Sequence, residues 1–501
     1  MDRREFMSSV VAAVGLPSVS ATVIPGLEKF AVEGSGSTAE MGHTRPKNVI
    51  LMICDDLGYG DLHCYGSQLP TPNLDQLAAG GMRFTHCSAG HPICSAARGA
   101  LLTGRYAQRS HTAPVYWPFS QSGMDVDETT IANLFQSNGY RTKAIGKWHL
   151  GHLPQYLPTS RGFDSYFGVP WSDDMHPLPL MRDTSILEAD TDRALLTPRY
   201  TEEALKFIDD KSDKPFFLYL AFSYPHDPAN ASPRFLGQSG FGLYGDAVEE
   251  IDWSVGEISR ALKKRDIFED TLVIFTSDHG CWFQGNMANL RGRKSSTFEG
   301  GFRVPFIAHW PSAIPAGTIS RAWTSNLDVL PTLSSLCGLG KPERQLDGID
   351  VSSALLERNE EFSRQAILYF TPFSGGLPMQ GLDLHCARKG KWKLRFAQLT
   401  GEIYINDYTA GRESFWLPNA ELYNLDADPG ESYNVATLHP EIVQQIREEV
   451  FAQMKTMPPE VGDVFEKLQK NVALPQTRIG EAPIPPNMRR SGDPPDSSKP
   501  H

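Results

Sequence analysis

The chain contains no Cys-x-x-Cys pair. Its seven cysteines (Cys54, Cys64, Cys87, Cys94, Cys281, Cys337 and Cys386) are scattered and odd in number. That argues against a disulfide framework and against a structural zinc site. Cys54 lies in an apolar run and reads as a small core residue, while pairing of Cys64 with Cys87 stays open. Beyond the N-terminus there is no run of about 20 apolar residues, so no stable membrane span is expected. Basic charge is also lacking: the net charge is −12 over 501 residues. Nothing builds a basic stripe, which argues against nucleic-acid partners but leaves room for a local cationic pocket. No internal repeat is visible.

What is present is organised in stages. Residues 1–25 hold Arg3-Arg4, the weakly apolar stretch Ser8 to Ile24 and a small-residue site at Val19-Ser20-Ala21. They read as a twin-arginine signal peptide, with the twin-arginine translocase as partner and an exported, periplasmic or extracellular destination. Residues 26–45 read as a linker. From 46 to 345, short apolar runs alternate with helical patterns such as Thr129 to Asn138 and Asp246 to Leu262, the signature of an α/β domain. The expected fold is a large mixed, mostly parallel sheet flanked by helices. Residues 346–460 carry shorter strands and turns, among them Ala366 to Phe370, Trp392 to Phe396 and Leu422 to Leu425. They predict a smaller antiparallel sheet domain closed by a helix over His439 to Met454. Residues 461–501 are expected to form an extended tail.

The chemistry gathers where the predicted strands end, because ligands in open α/β sheets sit beyond the carboxyl ends of strands. Val49 to Cys54 ends in Asp55-Asp56, and the strand near Thr142 to Ile145 ends in Gly146-Lys147-Trp148-His149. Phe216 to Leu220 runs out to Pro225-His226-Asp227, and Leu272 to Thr276 ends in Ser277-Asp278-His279. Adjacent carboxylates repel unless a cation neutralises them. Asp55, Asp56 and Asp278 suit a hard divalent ion, Ca2+ or Mg2+, and the nitrogen of His279 admits Mn2+. Taken alone, Asp55-Asp56 reads equally well as a helix cap or turn.

Cys94 to Thr103 reads as a short Ala/Leu-rich helix stopped by Gly104. A residue at a helix start meets unpaired N–H groups that favour an oxyanion, and Arg98 lies one turn along the same face. The plainer reading is a packed helix with a structural cysteine and a salt-bridging arginine.

Cys94-x-Ala96-x-Arg98 followed by Leu102-Thr103-Gly104 resembles the signature of the type I sulfatases, with Ala96 where proline is more usual. Asp55 to Asp61 with Cys64-Tyr65-Gly66, Thr71 to Asp75, Gly146 to Gly151, Leu290 to Lys294 and Phe298 to Gly301 resemble the arylsulfatase branch. So do Gly168 to Ser172 and the box Glu421 to Leu425 with Asp428-Pro429. The similarity runs in order over about residues 46–440, and departs at Arg293, where glycine is common.

The resemblance implies an alkaline phosphatase-like fold and hydrolysis of a sulfate ester, aryl or carbohydrate. It implies oxidation of Cys94 to formylglycine by a formylglycine-generating enzyme that acts on the unfolded chain, before export. Asp55, Asp56, Cys94, Asp278 and His279 would then ligate the metal. Arg98 would help activate the nucleophile, Lys147 and Lys294 would hold sulfate oxygens, and Ser172 would bind sulfate. His226 would protonate the leaving group and His149 would expel sulfate. Two alternatives stand beside this reading. One is a phosphonate monoester or phosphodiester hydrolase of the same superfamily, the other a non-catalytic binder of sulfated glycans. A two-zinc phosphatase would want more His and Asp ligands and a Ser or Thr nucleophile. The aromatic stretch Val115 to Phe119 and Trp171 offer either sugar stacking or core packing.

Overall fold

The computed structural model describes residues 45–373, 380–402 and 412–471. The expected signal, almost all of the linker and the chain beyond 471 lie outside the described residues. Among the described residues, eleven strands build the main sheet. They are β1 (Asn48–Cys54), β2 (Met82–Ser88), β3 (Arg141–Lys147), β4 (Ser165–Val169), β5 (Leu180–Arg182), β6 (Ser185–Glu188), β7 (Phe216–Ala221), β8 (Thr271–Ser277), β9 (Arg303–His309), β10 (Thr318–Ser320) and β11 (Thr324–Ser325). Their order is β10-β2-β9-β8-β1-β7-β3-β4-β5-β6, with β11 beside β2. The centre, β8-β1-β7-β3-β4, is parallel. β9 runs antiparallel to β2 and β8, and β4-β5-β6 form an antiparallel edge.

Every residue of β1 is buried, as expected for a parallel strand covered on both faces. The period of two divides it cleanly. Val49, Leu51 and Ile53 join one core, and Ile50, Met52 and Cys54 join the other. The helices of this unit are α1 (Pro72–Gly80), α2 (Cys94–Thr103), α3 (Ile131–Ser137), α4 (Leu196–Asp209), α5 (Gly242–Lys264), α6 (Glu299–Phe302), α7 (Val329–Cys337) and α8 (Ser352–Glu357). The first core takes in α2, α3, α7 and α8, and the second takes in α1, α4 and α5. All ten residues of α2 are buried. Its Ser, Ala and Gly positions let a helix lie wholly inside the protein.

A four-stranded antiparallel sheet follows, in the order β12 (Ile367–Phe370), β13 (Leu384–Lys389), β14 (Trp392–Leu399) and β15 (Ser414–Asn424). One face of β14 presents Leu394 and Phe396 to a core shared with α9 (Pro440–Met454) and α10 (Pro459–Gln469). Two expectations need correcting. The segment from 461 is not extended up to 471: Val461, Phe465 and Leu468 recur at helical spacing, and α10 buries them. Each contributes about 1.5–3 kcal/mol of apolar burial. The large unit also extends past 345, because Val351, Ala354 and Leu355 belong to its core. No described helix is long and apolar enough to cross a membrane. All seven cysteines are free thiols, Cys64 and Cys87 included.

Candidate active site

The strand ends bring the residues singled out from sequence to one edge of the main sheet. Asp55 and Asp56 follow β1, Lys147 ends β3, Ser172 follows β4, His226 follows β7, and Asp278 and His279 follow β8. Cys94 opens α2 with Arg98 one turn on, and Lys294 sits on the loop between β8 and α6. Asp55, Asp56, Cys94, Arg98, Lys147, His149, Ser172, His226, Asp278, His279 and Lys294 are all at most 6% exposed. Asp56 (φ 61°) and His149 (φ 60°) take the left-handed conformation, which non-glycine residues seldom adopt. Each sits at a sharp turn just beyond a strand. Gly146 (φ 101°) lets β3 come so near β7 that a Cβ there would lie 1.8 Å from the Ala221 carbonyl oxygen.

The polar contacts are dense. Lys147 Nζ donates to Asp55 Oδ2 and, at 2.9 Å, to Ser172 Oγ. Lys294 Nζ lies 2.8 Å from both Asp56 oxygens. Arg98 Nε donates to Asp278 Oδ2 at 3.2 Å, and its Nη1 to the Lys147 carbonyl at 3.1 Å. The His279 and Asp56 backbone N–H groups donate to Asp278 Oδ1 at 2.9 and 3.2 Å. His279 Nδ1 lies 2.9 Å from the Gly280 carbonyl oxygen, leaving Nε2 3.4 Å from Cys94 Sγ. His149 Nε2 lies 3.1 Å from the Tyr116 carbonyl oxygen, and its Nδ1 is buried without a partner. His226 Nε2 is 3.9 Å from Asp56 Oδ2, and its Nδ1 is 3.0 Å from Asp173 Oδ1.

Charge here is out of balance. Asp55, Asp56, Asp173 and Asp278 face three permanent cations, Arg98, Lys147 and Lys294. Burial works to raise the Asp55 carboxyl, yet Lys147 and Arg98 hold it well below the usual range. Burial raises Asp56 to about 6 against the pull of Lys294. Burial and the nearby Asp55 push Asp278 well up. Burial, then Asp55, pushes the Cys94 thiol up as well. Burial lowers His149, His226 and His279, helped by Lys147 for the first and Lys294 for the other two.

A divalent cation fits this set. Donor atoms of Asp55, Asp56, Cys94 and His279 lie within 4.8 Å of one another. Asp55 Oδ1 is buried without a hydrogen-bond partner. Asp278 borders the group, its Oδ1 lying 3.7 Å from His279 Nε2. Three carboxylates and one imidazole make an oxygen-rich site for a hard ion.

Residues 47–339 match the family model described as Sulfatase. Human arylsulfatase A is 36% identical over 454 residues, covering 82% of this chain and 88% of that protein. The chain belongs to the sulfatase family. This sulfatase is accordingly a sulfuric ester hydrolase. It is also similar to the N-acetylgalactosamine-6-sulfatase of Canis lupus familiaris, 33% identical over 92% of this chain and 96% of that protein. Among solved structures it resembles the PsFucS1 sulfatase from Pseudoalteromonas sp., with TM-score 0.74 and 27% identity. That match covers 83% of this chain and 91% of the other.

Sequence reasoning missed several partners. Asp173 follows Ser172 in an irregular stretch, next to a second acid, Asp174. In the fold it is fully buried beside His226. Tyr244 on α5 was also missed: its hydroxyl lies 2.5 Å from Asp61 Oδ2 and 3.1 Å from the Asp56 carbonyl oxygen, behind the left-handed turn. No local pattern marks either residue. In the aromatic stretch, Val115 and Tyr116 are core residues and Trp171 is half-buried.

Proposed function

We propose that this sulfatase hydrolyses sulfate monoesters of carbohydrates or aryl alcohols, with residue 94 working as formylglycine. The observation that carries the reading is the position of Cys94. It opens a buried helix with no side-chain cap, 3.4 Å from His279 and among donors of Asp55 and Asp56. Oxidised to the aldehyde and hydrated, residue 94 supplies two hydroxyls, one to bond sulfur and one whose proton is lost as sulfate leaves. A thiol or a serine has no second hydroxyl and would stall after one transfer. Asp55, Asp56, Asp278 and His279 would hold a divalent ion, calcium best matching the donor set, which supplies positive charge beside the nucleophile.

The chain's own residues do the rest. Lys147 and Lys294 bind sulfate oxygens and balance the charge that builds on them in the transition state. Ser172, already held by Lys147, adds a hydrogen bond to the same group. Arg98 fixes Asp55 and Asp278 and reinforces the anion site at the start of α2. His226 holds the proton that the leaving alkoxide takes, with Asp173 orienting its ring from Nδ1. His149 takes the proton of the second hydroxyl at Nδ1, because its Nε2 is engaged with the Tyr116 carbonyl. The N-terminal pattern supports export by the twin-arginine route after the modifying enzyme has acted. Both relatives named above bear sulfatase names, one for an aryl and one for an amino-sugar ester, and they support the substrate classes.

The test is the mass of the tryptic peptide containing residue 94, from a host with the modifying enzyme. Conversion lowers it by about 18 Da, as the covalent mechanism requires. Parallel turnover of an aryl sulfate and an aryl phosphate then separates a sulfatase from a phosphodiester or phosphonate hydrolase. An unmodified cysteine in a host that converts other sulfatases would sink the mechanism.

A further inference from the structure

Lys294 stands on a loop whose remaining anchors lie largely in the small sheet. On the site side, its backbone N–H donates to the Cys281 carbonyl at 2.9 Å, and that of Ser295 to the Pro92 carbonyl at 2.9 Å. On the far side, Glu402 accepts from the Thr297 N–H at 2.5 Å and from Thr297 Oγ1 at 2.6 Å. Arg395 holds that same carboxylate at 2.9 Å and lays its guanidinium 3.8 Å from the centre of the Phe298 ring. Glu431 accepts from the Glu299 N–H at 2.6 Å, and Arg291 donates to the Glu431 carbonyl at 3.1 Å. Lys393 joins both carboxylates, 3.2 Å from Glu299 and 2.9 Å from Glu431.

These partners are buried and belong to β14, to the connection after it or to the turn after β15, while the loop they grip belongs to the main unit. Only Ser295 and Ser296 lie between Lys294 and Thr297, too short a stretch to absorb a shift at one end without moving the other. We propose that Glu402 is a positioning residue for the sulfatase reaction: through Thr297 it sets where the Lys294 ammonium stands against Asp56. A residue between two strands of the small sheet thereby takes part in catalysis through the Lys294 loop. The inference rests on the reading of Lys294 as a sulfate-binding cation.

The test is a double-mutant cycle. Wild type, Glu402→Gln, Lys294→Ala and the double variant are made in a host with the modifying enzyme. kcat and KM are measured on an aryl sulfate with calcium, normalised to converted residue 94 by mass. Glu402→Gln should lower kcat/KM about 10- to 100-fold, the scale of a misplacement near 1 Å. In the Lys294→Ala background the same change should cost less than about twofold, because its effect acts through Lys294. Equal losses in both backgrounds would reduce Glu402 to a structural role and overturn the inference, as would full activity of Glu402→Gln. Should Lys294→Ala itself keep wild-type turnover, the reading of the site fails and the inference with it. If Glu402→Gln does not fold, Thr297→Val replaces it in the cycle. Thr297→Ser must then recover most of the loss, and failure of that rescue counts against the proposal.

Discussion

Two buried charge clusters lie on either side of the Lys294 loop, and they are built on opposite principles. At the rim, four carboxylates meet three permanent cations, and burial leaves Asp56 and Asp278 raised. Behind the loop, Glu299, Glu402 and Glu431 face Arg303, Lys393 and Arg395. There burial opposes ionisation, yet Lys393 and Arg303 hold Glu299 well down and Arg395 holds Glu402 at about 2, while burial leaves Glu431 alone raised against the pull of Lys393. The rear cluster is completed by folding. On the proposed reading, the rim is completed by what it binds, a cation and then an anion. Sequence alone does not separate the two, since both are Asp, Glu, Lys and Arg in apolar surroundings.

The contrast can be broken at several points. The largest effect is expected on turnover: Asp278→Asn should cost about 10²–10³-fold in kcat, the scale for one group stabilising transition-state charge. In chelator its stability should match or exceed that of the wild type, because a raised carboxyl has been removed. Urea denaturation checks this, and a clear loss of stability would show the rim to be structural. The rear cluster should behave the other way. Lys393→Met leaves Glu431 without its cation and Glu299 with Arg303 alone, at a cost of about 3–5 kcal/mol by the same titration.

Next in size is the metal. Calcium at about 100 times its Kd should add about 2.7 kcal/mol to the wild type, and chelation should remove it. Asp56→Asn should abolish that increment, whereas Glu402→Gln should lower overall stability and keep it. Thermal melts with and without chelator distinguish the two.

The smallest effect is in pH dependence, with opposite signs. Burial raises Asp61, which sits behind the rim, to about 7. Its folded form therefore holds a proton that the unfolded chain has lost between about pH 4 and 7, so its contribution to stability falls as pH rises. Glu402, lowered to about 2, stabilises above about pH 4.5, and that contribution is lost as pH falls toward 2. Each group changes the slope by at most about 1.4 kcal/mol per pH unit. Asp61→Asn should flatten the neutral limb of the stability curve and Glu402→Gln the acid limb; interchanged effects would refute the assignment.

Much of the rim was legible because each piece carries a local signal. A short apolar run followed by Asp-Asp or Asp-His announces a strand and its polar end, and Ala144-Ile145-Gly146 before Lys-Trp-His does so more faintly. The start and the glycine stop of α2 are likewise written into Cys94 to Gly104. The rear cluster was illegible for a physical reason. In β14 the order Trp392-Lys393-Leu394-Arg395-Phe396 alternates as a strand with one wet face would, yet Lys393 and Arg395 are fully buried. Their partners come from positions 299, 402 and 431, with no spacing that links them. Asp173 escaped similarly, since its partner His226 is 53 residues away on another strand end. Local pattern reveals which groups a chain delivers to a face, and only the packing reveals whether that face meets water or another layer.

The order of these parts along the chain also sets a clock. Cys94 is finished early, whereas Glu402 and Glu431, which close on the Lys294 loop, come more than three hundred residues later. At roughly 5–20 residues per second, a ribosome needs about 15 to 70 seconds to bridge that interval. During this time α2, whose Ala100 packs into the core of the small sheet, has no finished sheet to pack against. In the folded protein Cys94 is 3% exposed, so on the proposed reading its modification has to precede that burial. The speed of translation past residue 94, as much as the supply of any modifying enzyme, should then govern what fraction of the protein matures.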